Sequence, residues 1–506
     1  MIQALHISPG PATLPILPDK LRDIISSHTL KQHLFILHQA LQMSTNAMRH
    51  PSGPDGTAPP NSSGIKVIVV GLGLGGLAAA IECHRKGHTV IAYDRVPELK
   101  PIGDSIGIPS NAARVVSHWG DGSVDRALRP LLNHPTGMKI NNVSGAFLVD
   151  SPLNAYAPSS PGGIGGYPAH RGDLAAAFYA HALSLGIEIR LGHRITSYFE
   201  DGAAAGVIVD GQRVAADVVV GADGVHSAAR GPITGQNPVP QPSGYAMFRA
   251  WFDGAACKAD EGARWIFDGT GEDEDACEVF IGEDCHVMVG TGKGGREVFW
   301  MCTHKDERGV GESWSQPADI EDMLEYIKDW PVRAKIEPIV RMTPKDKVID
   351  FQLLWRDPLE RWVSEGGRMM LIGDAAHPFL PTSGQGAGQA IEDAAVLAIA
   401  LELAGKENVP LALRATEKMR YRRATIMQRS GIETRDAWHK TDWEAAAKDP
   451  SLVAMPRPKW IYGHDCQSHT YEEFENVVEA LKSSKEYIPK NIPAEGTYHR
   501  SHDFEG

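Results

Sequence analysis

The chain has 506 residues, 42% of them hydrophobic, and a formal net charge of −13 at neutral pH. That length and composition fit a folded protein of two to four domains, and the negative charge argues against a main partner made of nucleic-acid backbone, because no net positive field draws phosphates. No run approaches the roughly 18 to 20 uninterrupted apolar residues that cross a bilayer, so no stable membrane insertion is expected. Cys83, Cys257, Cys277, Cys285, Cys302 and Cys466 are scattered without a CxxC pair, which points to a reducing, cytoplasmic setting.

Taken in chain order, residues 1–64 read as a flexible extension, closing in a stretch rich in Pro, Gly, Ser and Asn from Pro51 to Gly64. From Ile65 to about Val96 the pattern is strand, tight turn, helix, strand, the opening of a parallel dinucleotide-binding sheet. Within VIVVGLGLGGLAAAIECHRKGHTVIAYDR, Gly71, Gly73 and Gly76 form a GxGxxG fingerprint directly after an apolar run. Gly71 suits the tight turn, Gly73 lets backbone amides approach a pyrophosphate, and Gly76 lets helix and strand pack closely. Asp94 ends the second strand, where a carboxylate accepts bonds from an adenosine ribose. These features predict dinucleotide binding without separating FAD from NAD.

A second helix-to-strand unit follows Arg171, and a further strand ends in DVVVGADGVHSAAR, an acidic turn with Ser227 and Arg230 behind it. Residues 246–340 switch to alternating apolar and polar runs, predicting an inserted antiparallel sheet for the substrate. The segment GRMMLIGDAAHPFLPTSGQGAGQAIEDA then returns to the first sheet, delivering Asp374 and a glycine-rich turn that opens a helix. That turn's amides can stabilise negative charge on a cofactor. The fold class expected is therefore α/β. It comprises a Rossmann-like domain in two parts, 65–245 and 341–405, an inserted β domain at 246–340, a C-terminal helical region at 406–485 and a polar tail at 486–506. Long helices are expected over Gly386–Ala404 and Leu411–Ala447. His464, Cys466 and His469 match no zinc signature and read as a polar surface turn, so no metal is assigned. Trp438, Trp443, Trp460 and Tyr462 read as helix packing, with an active-site cover or dimer contact as the alternatives.

The fingerprint at 71–76, the DG pair at 223–224 and the GD pair at 373–374 together resemble the class A flavoprotein monooxygenases, most closely their salicylate-hydroxylase-like branch, over roughly residues 65–470. The resemblance implies FAD as cofactor, NADPH or NADH as a transient electron donor, and dioxygen as co-substrate. It implies FAD contacts at Asp94, Gly107, Arg171, Asp374 and Ala387. Arg171 also makes sense unaided as a guanidinium facing a pyrophosphate, or as half of a salt bridge with Asp173. The family loop usually reads Gly-Ala-Gly, whereas here Asp104 and Ser105 follow Gly103.

In this class oxygen transfer from a flavin C4a-hydroperoxide is electrophilic, so the substrate is electron-rich, often a phenolate, and a buried cation favours that anion. Arg249, in GYAMFRAWF, is the catalytic candidate, with a structural arginine pairing across the sheet as the alternative. Tyr245 is a second candidate, for a substrate hydrogen bond. Relatives often carry a tyrosine in a later strand where this chain has Gly290. His377 is expected to fix its turn, and the Pro378 carbonyl to be available to a substrate hydroxyl. The function expected is hydroxylation of a small phenolic substrate by a monomer or homodimer. The alternatives are an epoxidase or hydroxylase of an indole, prenylated or polyene metabolite, and a dinucleotide-binding module without oxygenase chemistry.

Overall fold

A computed structural model describes residues 62–100, 103–153, 165–309 and 317–497. Nearly all of the expected N-terminal extension, residues 1–61, lies outside the described residues. The first apolar run forms the strand Lys66–Val70, with its last four residues buried, as suits a strand covered on both faces. It is the centre of a five-stranded parallel sheet in the order Met369–Leu371, Val218–Gly221, Lys66–Val70, Thr89–Tyr93 and Glu188–Arg190. This order explains why three motifs far apart in sequence act together. The strands that end in the GD turn, the DG turn and the glycine fingerprint are immediate neighbours, so their carboxyl ends open on one edge, where ligands of such sheets bind.

The second sheet has seven strands, in the order Ile349–Trp355, Gln241–Asp253, Glu297–Lys305, Cys285–Gly292, Cys277–Gly282, Gly137–Asn142 and Phe147–Pro152. It is antiparallel except where Cys277–Gly282 runs parallel to Gly137–Asn142. The sheet therefore extends beyond the expected span of 246–340, taking two strands from 137–152 and one from 349–355. Periodicity marks a strand but not its partner, and here the partners at both edges come from distant parts of the chain. One of those edges, Ile349–Trp355, leads back towards the first sheet and places Phe351 and Leu353 beside Tyr245 and Met247.

The helix Gly386–Ala404 is buried on nearly every side, consistent with its apolar sequence all round. Its small residues let it lie close to the fingerprint helix Leu74–Arg85, where a Cβ on Gly75 would stand 3.0 Å from Ala390. The next helix spans Val409–His439 and stops short of the expected Ala447. A separate helix, Trp443–Lys448, restarts where the Asp442 carboxylate accepts from the amides of Glu444 and Ala445, a capping role that sets a new N-terminus. The chain from 486 to 497 is not simply a polar tail: Tyr487 joins the main core and the Asn491 carbonyl accepts from Arg423 at 2.8 Å. Cys466 is buried at the start of the helix Cys466–Ser483, and His464 and His469 pack ring to ring at 5.2 Å rather than forming a surface turn. Trp438 and Tyr462 are buried in packing contacts, while Trp443 is exposed. Among the described residues no helix is long and apolar enough to cross a membrane.

Candidate active site

The fingerprint turn is shaped by steric necessity. Gly71 has φ +96°, and a Cβ there would stand 2.5 Å from the Ala222 carbonyl oxygen in the neighbouring DG turn. A Cβ on Gly76 would fall 1.8 Å from the Gly71 carbonyl oxygen, so only glycine lets the helix begin so close to its strand. Gly73 differs: a Cβ would meet nothing within 4 Å, because the residue faces the open cleft at the start of the helix. Its lack of a side chain therefore keeps space for a ligand rather than for protein. Asp94 accepts from the Leu72 amide at 2.7 Å and from the Val96 amide at 2.9 Å, tying the second strand to the turn.

Arg230 joins the DG and GD motifs. It is buried, and its Nε donates to the Ala375 carbonyl at 2.9 Å while Nη2 reaches the carbonyls of Asp374 at 3.2 Å and Val225 at 3.3 Å. Burial, with Arg356 nearby, brings its pKa down to about 10, so it remains a cation at neutral pH. Asp223 stabilises the start of this segment by accepting from the amides of Ala228 and Ala229. On the other side of the GD turn, Asp393 accepts from the Gly373 amide at 3.0 Å, from His377 Nε2 at 2.6 Å and from Arg420 Nε at 2.8 Å. Burial raises the Asp393 carboxyl, but His377 and Arg420 outweigh that and hold it below its ordinary range. His377 thus fixes the turn, the role expected of it, and Gln428 already donates to the Pro378 carbonyl at 2.8 Å.

These turns and the second sheet enclose a cleft of about 360 Å³. One side is lined by Gly73, Gly107, Arg171, Asp374 and Ala387, all expected cofactor positions, and includes the first turn of the helix Gly386–Ala404. Asp374 lines the cleft and is exposed to it; desolvation by the surrounding protein raises its carboxyl above the ordinary range against the pull of His377, Arg171 and Arg230. Asp173 holds Lys293 at 2.7 Å, and Arg171 lines the cleft. The other side of the cleft is apolar: Met247, Met301, Phe351, Leu353, Phe379 and Leu380. An open glycine cradle, a helix N-terminus, the Arg171 cation and the carboxylates of Asp104 and Asp374 beside an apolar chamber suit a dinucleotide whose reactive ring faces an organic substrate.

Neither catalytic candidate is among the residues that line the cleft. Tyr245 does not line the cleft. Its hydroxyl donates to Asp284 at 2.6 Å, its ring packs on His439 at 4.6 Å, and burial with the Asp284 contact pushes its pKa up. Arg249 is not among the residues that line the cleft; only 3% of its side chain is exposed, and it pairs with Asp104 of the cofactor loop at 2.9 Å. Gly290 leaves no room for the tyrosine ring that relatives often carry, because a Cβ there would stand 2.4 Å from Phe299. The apolar liners were not anticipated. Met247 had a readable signal, lying two residues from Arg249 and so on the same strand face, whereas Met301 and Phe351 are placed by register alone.

The model of the FAD binding domain matches residues 64–430. The chain belongs to this FAD-binding family. It is 48% identical over 447 residues to asperlicin C monooxygenase of Petromyces alliaceus, covering 88% of this chain and 96% of that protein. It is 47% identical over 468 residues to the FAD-dependent monooxygenase nodY2 of Hypoxylon pulicicidum, covering 88% and 99%. The crystal structure of CtdE in complex with FAD and substrate 4 superposes with a TM-score of 0.78 at 41% identity, over 83% of this chain and 100% of CtdE. A salicylate hydroxylase substrate complex, at 23% identity and a TM-score of 0.65 over 81% of this chain and 98% of that one, shares the fold. The chain is a FAD-dependent monooxygenase, with NAD(P)H as the electron donor typical of its class. The reading as a dinucleotide-binding module without oxygenase chemistry is set aside.

Proposed function

We propose that this monooxygenase acts on a neutral, electron-rich π bond of a bulky apolar metabolite, such as an indole or prenylated ring system, in fungal secondary metabolism. The observation that carries this reading is the apolar wall formed by Met247, Met301, Phe351, Leu353 and Leu380 opposite the GD turn. The expected phenolic substrate would be ionised beside a free cation and a tyrosine. Arg249 has Asp104 as its partner and Tyr245 has Asp284, so the features that would favour a phenolate are directed elsewhere. Two relatives, asperlicin C monooxygenase and notoamide E oxidase, are each named for a particular metabolite, which accords with a role in secondary metabolism.

When bound, FAD reduced by NAD(P)H activates dioxygen for electrophilic transfer of one oxygen atom. The residues of the chain supply the setting. Arg171 and the Gly73 cradle would hold the phosphates, Asp94 and Asp374 would accept hydroxyls of the ribose and ribityl chain, and the amides around Ala387 would stabilise negative charge on the ring. The apolar wall excludes water and orients the substrate by shape. The test is the rate of NAD(P)H oxidation by the FAD-loaded protein with a panel of compounds. Neutral indoles and prenylated aromatics are expected to raise the rate at least about tenfold over substrate-free enzyme, while phenolic acids leave it near the baseline. Stimulation by phenolic acids alone would restore the phenolate reading.

A further inference from the structure

The loop before the strand Ser105–Pro109 departs from the family pattern at Asp104, and the fold gives that residue a defined direction. The Arg171 amide donates to the Asp104 carbonyl at 2.8 Å, and His170 Nε2 lies 2.9 Å from the neighbouring Gly103 carbonyl. The backbone is thus anchored to the cofactor half while the carboxylate reaches the substrate sheet and meets Arg249 Nη1 at 2.9 Å. The guanidinium also lies over the Phe351 ring, 5.2 Å from its centroid. Asp104 lines the cleft and Arg249 does not. The member of this ion pair that borders the cleft is therefore the anion.

We propose that Asp104 is a specificity-determining residue that makes the cleft refuse anionic substrates. The inference rests on the neutral-substrate reading above and adds the group that enforces it. A carboxylate or phenolate entering beside Phe351 would meet the like charge of Asp104 and would have to compete with it for Arg249. A neutral π system incurs neither penalty. Specificity of this kind uses a repulsive element as well as a fitting wall. A glycine or alanine at this position would remove that like charge from the chamber.

The test uses two probes of nearly equal shape, indole-3-acetamide and indole-3-acetate, titrated into the full-length, FAD-loaded protein by the change in flavin absorbance. The unaltered chain is expected to bind the amide at least about tenfold more tightly than the acid. Asp104→Asn keeps an acceptor oxygen for Arg249 but removes the negative charge, so the acid should gain about tenfold while the amide changes little. In the double variant Asp104→Asn with Arg249→Met that gain should disappear. A preference unchanged by Asp104→Asn, or a gain that persists without Arg249, overturns the inference while leaving the neutral-substrate reading intact. Tighter binding of the acid by the unaltered chain overturns both, as does failure to bind either probe. Should Asp104→Asn lose its flavin, Arg249→Met alone is decisive: the unpaired Asp104 should weaken the acid further and spare the amide, and equal losses for both would refute the proposal.

Discussion

The two sides of the cleft are built by different means. The cofactor side is made mainly of backbone: three turns at the ends of adjacent parallel strands, each demanding glycine or a short acid within a few residues. The substrate side is made of side chains from strands far apart in sequence, and their chemistry depends on partners supplied elsewhere. Arg249 is a buried cation in isolation and half of an ion pair once Asp104 is in place. The contrast teaches that cofactor identity is a local property of this chain, whereas substrate charge preference is a property of its tertiary contacts.

The largest effect is expected on the cofactor side. Gly76→Ala drives a methyl into the Gly71 carbonyl, so the variant should lose bound FAD and at least about 3 kcal/mol of stability. Gly73→Ala separates ligand space from protein space. With φ −69° and no neighbour within 4 Å, it should unfold within about 0.5 kcal/mol of the parent yet bind FAD at least about tenfold more weakly. Urea midpoints and FAD titrations report the two quantities. Next comes Arg230→Met, which takes this donor from the Asp374 and Ala375 carbonyls of the GD turn, while Arg356 still donates to the Val225 carbonyl beside the DG turn. A loss of about 3 to 4 kcal/mol in urea denaturation is expected.

A comparable effect on the substrate side appears only with pH. His439 lies 2.7 Å from His286 in a buried ring pair, and burial brings its pKa down to about 4, with that of His286 also well below the ordinary value. An unfolded histidine takes up its proton near pH 6.5, so between pH 6.5 and 4 the unfolded chain binds more protons than the folded one. This contribution is therefore full above pH 6.5 and is lost as the pH falls to 4, on the order of 2 to 3 kcal/mol for His439. His439→Gln should flatten the stability profile across that window, and a slope unchanged by the substitution would contradict the assignment.

Smaller effects sharpen the contrast. Phe351→Ala should raise KM for a neutral aromatic substrate about tenfold by removing apolar contact, with FAD affinity unchanged. Tyr245→Phe removes only the hydroxyl bond to Asp284. It should cost about 1 kcal/mol of stability and leave kcat/KM within about twofold, because the hydroxyl is not in the cleft.

The Rossmann-like half was legible because its constraints are local. A positive φ at Gly71 and a close approach at Gly76 admit few residues, and both leave a readable spacing. The limits of the substrate sheet were not, since its edge strands come from 137–152 and 349–355 and one joins in parallel. Tyr245 was recognisable as a polar aromatic on a strand, but not as the partner of Asp284, which reaches it from a separate turn. Asp104 did announce itself as a departure from the family loop. Its meaning needed the arginine at the far end of the ion pair.

The most direct test of the account is oxygenation of a neutral indole under isotopically labelled dioxygen, with product mass and NAD(P)H consumption followed together. The account predicts one labelled oxygen atom in the product for each NAD(P)H oxidised, and no labelled product from a phenolic acid offered to the same preparation. Label appearing in the phenolic acid while the indole is returned unchanged would contradict it.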